Sequence, residues 1–382
     1  MNNEHQRLYA LTEHILTLMQ TQGGAISFHD WMQAALYQPK LGYYESERIF
    51  GKDGDFTTAT AMGDWLALGF AEVIHKSWHA LGQPKDWILI EQGGGSGDLL
   101  ASVLTALLSY DMQPTHIYAV EISTQLQDRQ RETFSHAGFE IQSMASLSDI
   151  PPTQHGIMFS NELPDAFPVR AFTYQSGKTI ERGVDWDGNK FIWADLAPIT
   201  LDIDSSIQNT WGEAYISEFN PHLSSWQQDI SNVFEQGVVL TVDYGYTQKE
   251  YYRPTRIGGT LMGHYQHQVV DDVLKLSPGV CDITAHVDFT ALKKAGASVG
   301  LDSIAYITQG AWLAESKTVQ NNIQKLAQRP SAENMAQITH AKRLMLPTGM
   351  GESFKLLIQG KGLDESSRQH LVSPNFDRLH TL

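Results

Sequence analysis

The chain has 382 residues, 42% hydrophobic and 18% charged, which suits one large elaborated domain or two unequal ones. Its 27 Lys and Arg against 43 Asp and Glu leave a formal charge of −16, which disfavours nucleic acid and suits a basic partner. The single cysteine, Cys281, excludes an intramolecular disulfide framework, and no run approaches the ~18 apolar residues of a membrane span, so a cytoplasmic protein is expected.

The first residues, MNNEHQRLYALTEHILTLMQ, lack the basic start and cleavage site of a leader and are expected to open the mature protein with a helix. Leu11, Ile15, Leu18 and Met19 at helical spacing predict that helix over residues 8–22. Ser27 reads as an N-cap with Asp30 at the third helical position. Breakers crowd Pro39 to Asp55, although Tyr37, Tyr43, Tyr44, Phe50 and Phe56 supply aromatic surface, so an ordered loop is expected there. A helix from about Met62 to Ala80 leads into regular alternation. Strands are expected at Asp86–Glu91, His116–Glu121, Phe139–Gln142, Gly156–Asn161, Gly237–Asp243, Ser303–Thr308 and Phe354–Gln359. Helices fall at Asp98–Leu108, Ser123–His136 and His286–Ala295. This pattern predicts an α/β fold with a seven-stranded, mostly parallel sheet covered on both faces. An extension, 1–80, precedes the sheet domain, 81–360, and a polar, poorly ordered tail, 361–382, follows it. Insertions at 165–235, with alternating stretches at Val169–Tyr174 and Lys190–Ala194, and at 311–350, which looks helical, are expected to form a lid over the strand ends together with residues 1–80.

After the first strand the chain reads Glu91-x-Gly93-x-Gly95-x-Gly97. Glycines let the backbone approach a ligand, and the helix from Asp98 offers it free N–H groups. A dinucleotide fingerprint, G-x-G-x-x-G, fits in neither frame, because Asp98 or Leu100 stands where its last glycine belongs. An acid two residues before G-x-G-x-G suits S-adenosylmethionine instead, whose sulfonium and amino acid end can face Glu91. Glu121, at the end of the second strand, is positioned to bind ribose hydroxyls. The stretch Met144-Ala145-Ser146-Leu147 is where an adenine ring would sit. Gly54-Asp55-Phe56-Thr57-Thr58 is expected to fold over the cofactor's amino acid end.

Methyl transfer needs positioning and removal of a proton from the acceptor. Candidates follow the fourth strand: Asn161, also next to the cofactor, with Glu162 and Asp165, which could hold a guanidinium in a charge-assisted pair. His286 is a candidate base, against a purely structural role. Glu72, His75 and His79 share a helix face, and His264-x-x-His267 has metal-like spacing. With no further carboxylate or Cys cluster, no metal is expected.

The chain resembles the MidA family, on Leu41-Gly42-Tyr43-Tyr44, Phe50 to Thr58, the Glu91–Gly97 turn, Asn161 to Arg170, Asp243-Tyr244-Gly245, Gly259-Thr260-Leu261 and Thr284 to Phe289, in the same order from about Gly24 to Gly360. The resemblance implies a Rossmann-like class I methyltransferase fold. For the family's mitochondrial members it implies dimethylation of an arginine in a respiratory complex I subunit. A protein substrate with an exposed arginine is therefore expected. A small-molecule acceptor, or a non-catalytic assembly factor that binds the cofactor, stays open beside it, as does the choice between monomer and homodimer.

Overall fold

The computed structural model describes residues 3–46, 64–266, 268–373 and 375–382. The chain divides into two units. One comprises Met1–Phe56, Pro164–Leu223 and Tyr246–Thr290, and the other Thr57–Leu163, Ser224–Gly245 and Ala291–Leu382.

Apolar runs build the core of the second unit. Ile88-Leu89-Ile90, Ile157-Met158-Phe159 and Val238-Val239-Leu240 are buried throughout, as in strands covered on both faces. They belong to β1 (Ile88–Gln92), β4 (Thr153–Asn161) and β5 (Phe234–Tyr246). With β2 (His116–Val120), β3 (Gln142–Met144), β6 (Asp302–Thr308) and β7 (Phe354–Lys361) they run in the order β6-β7-β5-β4-β1-β2-β3. From β5 to β3 every pairing is parallel, whereas β7 runs antiparallel to both its neighbours. The chain moves from β1 outward to β3, then returns to place β4 on the other side of β1. Strand order therefore reverses between β1 and β4, where open α/β sheets bind ligands at the carboxyl ends of their strands. The register pairs Glu91 with Phe159 in β4 and Asn161 with Val242 in β5. Helices α1 (Trp65–Ala80), α2 (Asp98–Leu107) and α3 (Thr124–Ala137) supply Phe70, Ile74, Leu100, Val103 and Phe134 to the same core. The 311–350 insertion is helical as expected, over Gln309–Glu315, Lys317–Ala327 and Ala332–Met345.

Alternation gives the first unit an antiparallel sheet. Its strands Ile26–Ser27, Lys178–Trp186, Arg170–Gln175 and Tyr215–Phe219 lie in that order, with Phe191–Pro198 on Lys178–Trp186. Ser176 and Gly177, at φ 50° and 74°, form the two-residue turn that pairs Gln175 with Lys178. Helix Phe28–Tyr37 is capped by Ser27, whose hydroxyl accepts from Asp30 N, and it buries Phe28 and Trp31 with Val169, Ala171 and Val184.

Some expected boundaries move. The third strand begins at Gln142, not Phe139, because Gly138 turns left-handed at φ 78° and the Phe139 N–H closes the helix on the Phe134 carbonyl. The helix expected from His286 begins at Phe289, since Val287–Asp288 is extended and the Asp288 carboxylate accepts from Thr290 N. Residues 1–56 of the expected extension form one unit with 164–223 and 246–290, through the pairing of Ile26 with Val184. The tail is anchored: Arg378 N donates to the Tyr306 carbonyl at 2.7 Å, and Tyr306 N to Asp377 Oδ1 at 2.8 Å.

Candidate functional site

Three backbone features shape the turn after β1. Gly93 and Gly97 take φ of 71° and 83°, which glycine adopts freely and other residues rarely do. A Cβ on Gly93 would lie 2.7 Å from Leu163 Cδ1, and one on Gly97 2.6 Å from Phe134 Cε1. Gly94 leaves room for the Glu91 carboxylate, with which a Cβ there would collide. Gly97 then opens α2 with no side-chain cap, so the first N–H groups of that helix face outward to a ligand. Two partners distant in sequence brace the turn. Gln130, fully buried, donates Nε2–H to the Gly95 carbonyl at 3.0 Å. Trp226 donates Nε1–H to Gln92 Oε1 at 2.9 Å.

Glu91 is 1% exposed, and neither carboxylate oxygen has a hydrogen-bond partner among the described residues. Burial first, then the charges of Glu121 and Asp98, pushes its carboxyl up to about 8. A buried carboxylate without a donor calls for a cation, and the sulfonium and amino group of S-adenosylmethionine are cationic. The residues present therefore fit the expected cofactor.

Glu121 ends β2 in a buried position, and its N–H donates to the Met144 carbonyl at 2.9 Å. That bond sets the segment after β3 beside the acid. Ser123 N donates to Glu121 Oε1 at 3.0 Å, so this carboxylate also caps α3 and is held at a fixed angle. Leu147 is buried in the turn Leu147–Asp149, capped by Ser146. Ile122 was not singled out by motif, yet it is 64% exposed directly after Glu121. An uncovered apolar side chain next to the acid expected to bind ribose suits an adenine face, and its place at a strand end is the signal that could have found it.

At the end of β4, Asn161 Nδ2–H donates to Glu162 Oε1 at 3.1 Å, and Asn161 Oδ1 is buried with no partner among the described residues. Glu162 stands at φ 52°, with its N–H held by the Val242 carbonyl at 2.9 Å. A non-glycine residue in the left-handed region costs about 1–2 kcal/mol and is typical of functional sites.

The other expected residues have different surroundings. Asp165 belongs to the first unit and Glu162 to the second. Asp165 is buried, its carbonyl accepts from Ala285 N at 2.9 Å, and its charge reaches the Tyr44 phenol. Burial, followed by Asp282, Tyr37 and Asp165, holds that phenol well above its usual range. His286 stacks on Tyr246 at 5.1 Å and 7°, Arg256 lies 3.9 Å from the centre of the same tyrosine ring, and His286 N donates to Thr260 Oγ1. Gly54, Asp55, Phe56, Thr57, Thr58 and His267 lie outside the described residues.

Comparison with known proteins agrees with this geometry. Residues 70–307 match the model of a family described as S-adenosyl-L-methionine-dependent methyltransferases. The mitochondrial protein arginine methyltransferase NDUFAF7 of Danio rerio is 26% identical over 362 residues, covering 87% of this chain and 82% of the relative. The human protein of that name is 24% identical over 390 residues, covering 91% and 84%. A Burkholderia thailandensis protein, solved with S-adenosyl-homocysteine bound, superposes with a TM-score of 0.89 at 28% identity, covering 100% of this chain and 99% of that one.

Proposed function

The chain belongs to the S-adenosyl-L-methionine-dependent methyltransferase family, and from that premise we propose that it methylates an arginine guanidinium of a protein. The observation that carries the acceptor side is Glu162, strained at φ 52° and gripped by Asn161 at the carboxyl end of β4. A planar cation with several N–H donors is what a fixed carboxylate holds best. The names of the relatives and the net charge of −16 support a basic acceptor.

When bound, S-adenosylmethionine supplies a methyl group on a positively charged sulfur. The Gly93–Gly97 turn and the start of α2 would receive its amino acid end, with Glu91 balancing the charge. Glu121 would hold the ribose hydroxyls, and Ile122 and the Leu147 turn would flank the adenine. Glu162 would orient the guanidinium and take up the proton it loses as the N–C bond forms and the S–CH3 bond breaks, while Asn161 fixes the carboxylate's direction. Most of the rate gain asked of these residues is positioning.

Radiolabelled S-adenosylmethionine with lysate from a deletion strain tests the reading. The wild type should label one protein band that yields methylarginine on hydrolysis. Glu162→Ala should lower that labelling by about 100-fold or more, within the range for a positioned acid or base. Label confined to small metabolites, or no label at all, would overturn the arginine reading.

A further inference from the structure

We propose that His75 and His79 on α1 form a bidentate chelate for a divalent transition-metal ion such as Zn2+. The two residues stand one helical turn apart, so their rings project from the same face. Their Nε2 atoms converge to 3.1 Å. With Zn–N bonds of about 2.0–2.1 Å, that separation corresponds to an angle of roughly 100° at the ion, suitable for neighbouring ligands. The separation of the two nitrogens thus matches that of neighbouring ligands on one ion. Without one, an Nε2–H of either ring donates to the other, and metal entry displaces that shared proton.

Neighbouring groups hold both rings. His75 stacks on Tyr110 with centroids 4.4 Å apart. The Gln83 amide lies 2.6 Å from His79 Nδ1. The contacting atom is the amide Nε2, which donates to Nδ1, so the ring proton of His79 sits on Nε2 and is the one an entering ion displaces. Gln83 reaches back because the chain beyond α1 turns left-handed twice, at Gly82 (φ 81°) and at Gln83 itself (φ 58°), with Gln83 N donating to the Trp78 carbonyl at 2.9 Å. A non-glycine residue is uncommon in that conformation.

The surrounding charges are compatible. Lys76 pairs with Glu72 at 2.9 Å, and the other Glu72 oxygen accepts from Ser316 Oγ and Thr318 N. Glu72 is thus occupied. Among the described residues no group of three His, Cys, Asp or Glu side chains could hold a metal, so two imidazoles and water make up this site. Such a donor set selects Zn2+, Cu2+ or Ni2+ over Mg2+ and Ca2+. The other close pair, His29 and His222, has Nε2 atoms 2.7 Å apart and must open to admit an ion.

Calorimetric titration of ZnCl2 into the full chain tests the site, with MgCl2 as control ion. His75→Ala and His79→Ala should each bind one zinc ion fewer than the wild type, while His136→Ala keeps the wild-type count. His79 is exposed, so His79→Ala keeps its core and decides the matter alone if His75→Ala fails to fold. Unchanged zinc stoichiometry and affinity in His79→Ala, or no zinc binding by the wild type, would overturn the proposal.

Discussion

Glu91 sets the electrostatics of the glycine turn. Its carboxyl titrates at about 8 in the folded chain, against 4.5 when unperturbed. Between those values the folded state keeps a proton that the unfolded chain has released, so ligand-free stability falls as pH rises across that window. Glu91→Gln has no carboxyl to ionise and should lose this slope. Melting temperatures from pH 5 to 9 without cofactor should show the variant gaining on the wild type as pH rises, whereas parallel curves would contradict the assignment. Glu91, the glycines and Glu121 were singled out in the sequence by their spacing. Ile122 was not, since its meaning comes from exposure. Gln130 and Trp226 were not either, because they reach the turn from 35 and 134 residues away.

Among the elements, the strands were the most legible, as continuous apolar runs between turns. Boundaries were less so, because caps decide them: Gly138 and Asp288 each moved an element by about a turn. The surroundings of Asp165 and His286 were hidden for a similar reason, since Tyr44, which feels the Asp165 charge, and Tyr246, which stacks on His286, are brought to them only in the fold. Helix α4 (Leu223–Val233) illustrates how an element serves the site. It carries Trp226, whose indole N–H braces Gln92. Trp226→Phe keeps the buried ring and removes one hydrogen bond, costing about 1 kcal/mol. S-adenosylmethionine affinity should then fall by roughly fivefold with the fold intact, and an unchanged affinity would show that the brace does not shape the turn.

For the molecule as a whole, a seven-stranded, mostly parallel sheet was expected, whereas its strand order and the partition into units were not readable. Residues 1–56, 164–223 and 246–290 are far apart in sequence, and only strand pairing such as Ile26 with Val184 joins them. Nor did the polar composition of the tail reveal that Asp377 accepts from Tyr306 N and Leu379 N. Asp377→Ala removes both acceptors and should destabilise the protein by about 1–2 kcal/mol. A denaturation midpoint unchanged from the wild type would show that the tail carries no stability.

We propose that S-adenosylmethionine is held by the turn after β1 and by Glu121, just beyond β2. Calorimetry with that cofactor tests it most directly, on the wild type, Glu91→Gln and Glu121→Ala. One molecule should bind per wild-type chain, and each variant should lose at least about tenfold in affinity, equivalent to one charge-assisted contact. Binding by Glu121→Ala at wild-type strength, or no binding by the wild type, would contradict the account.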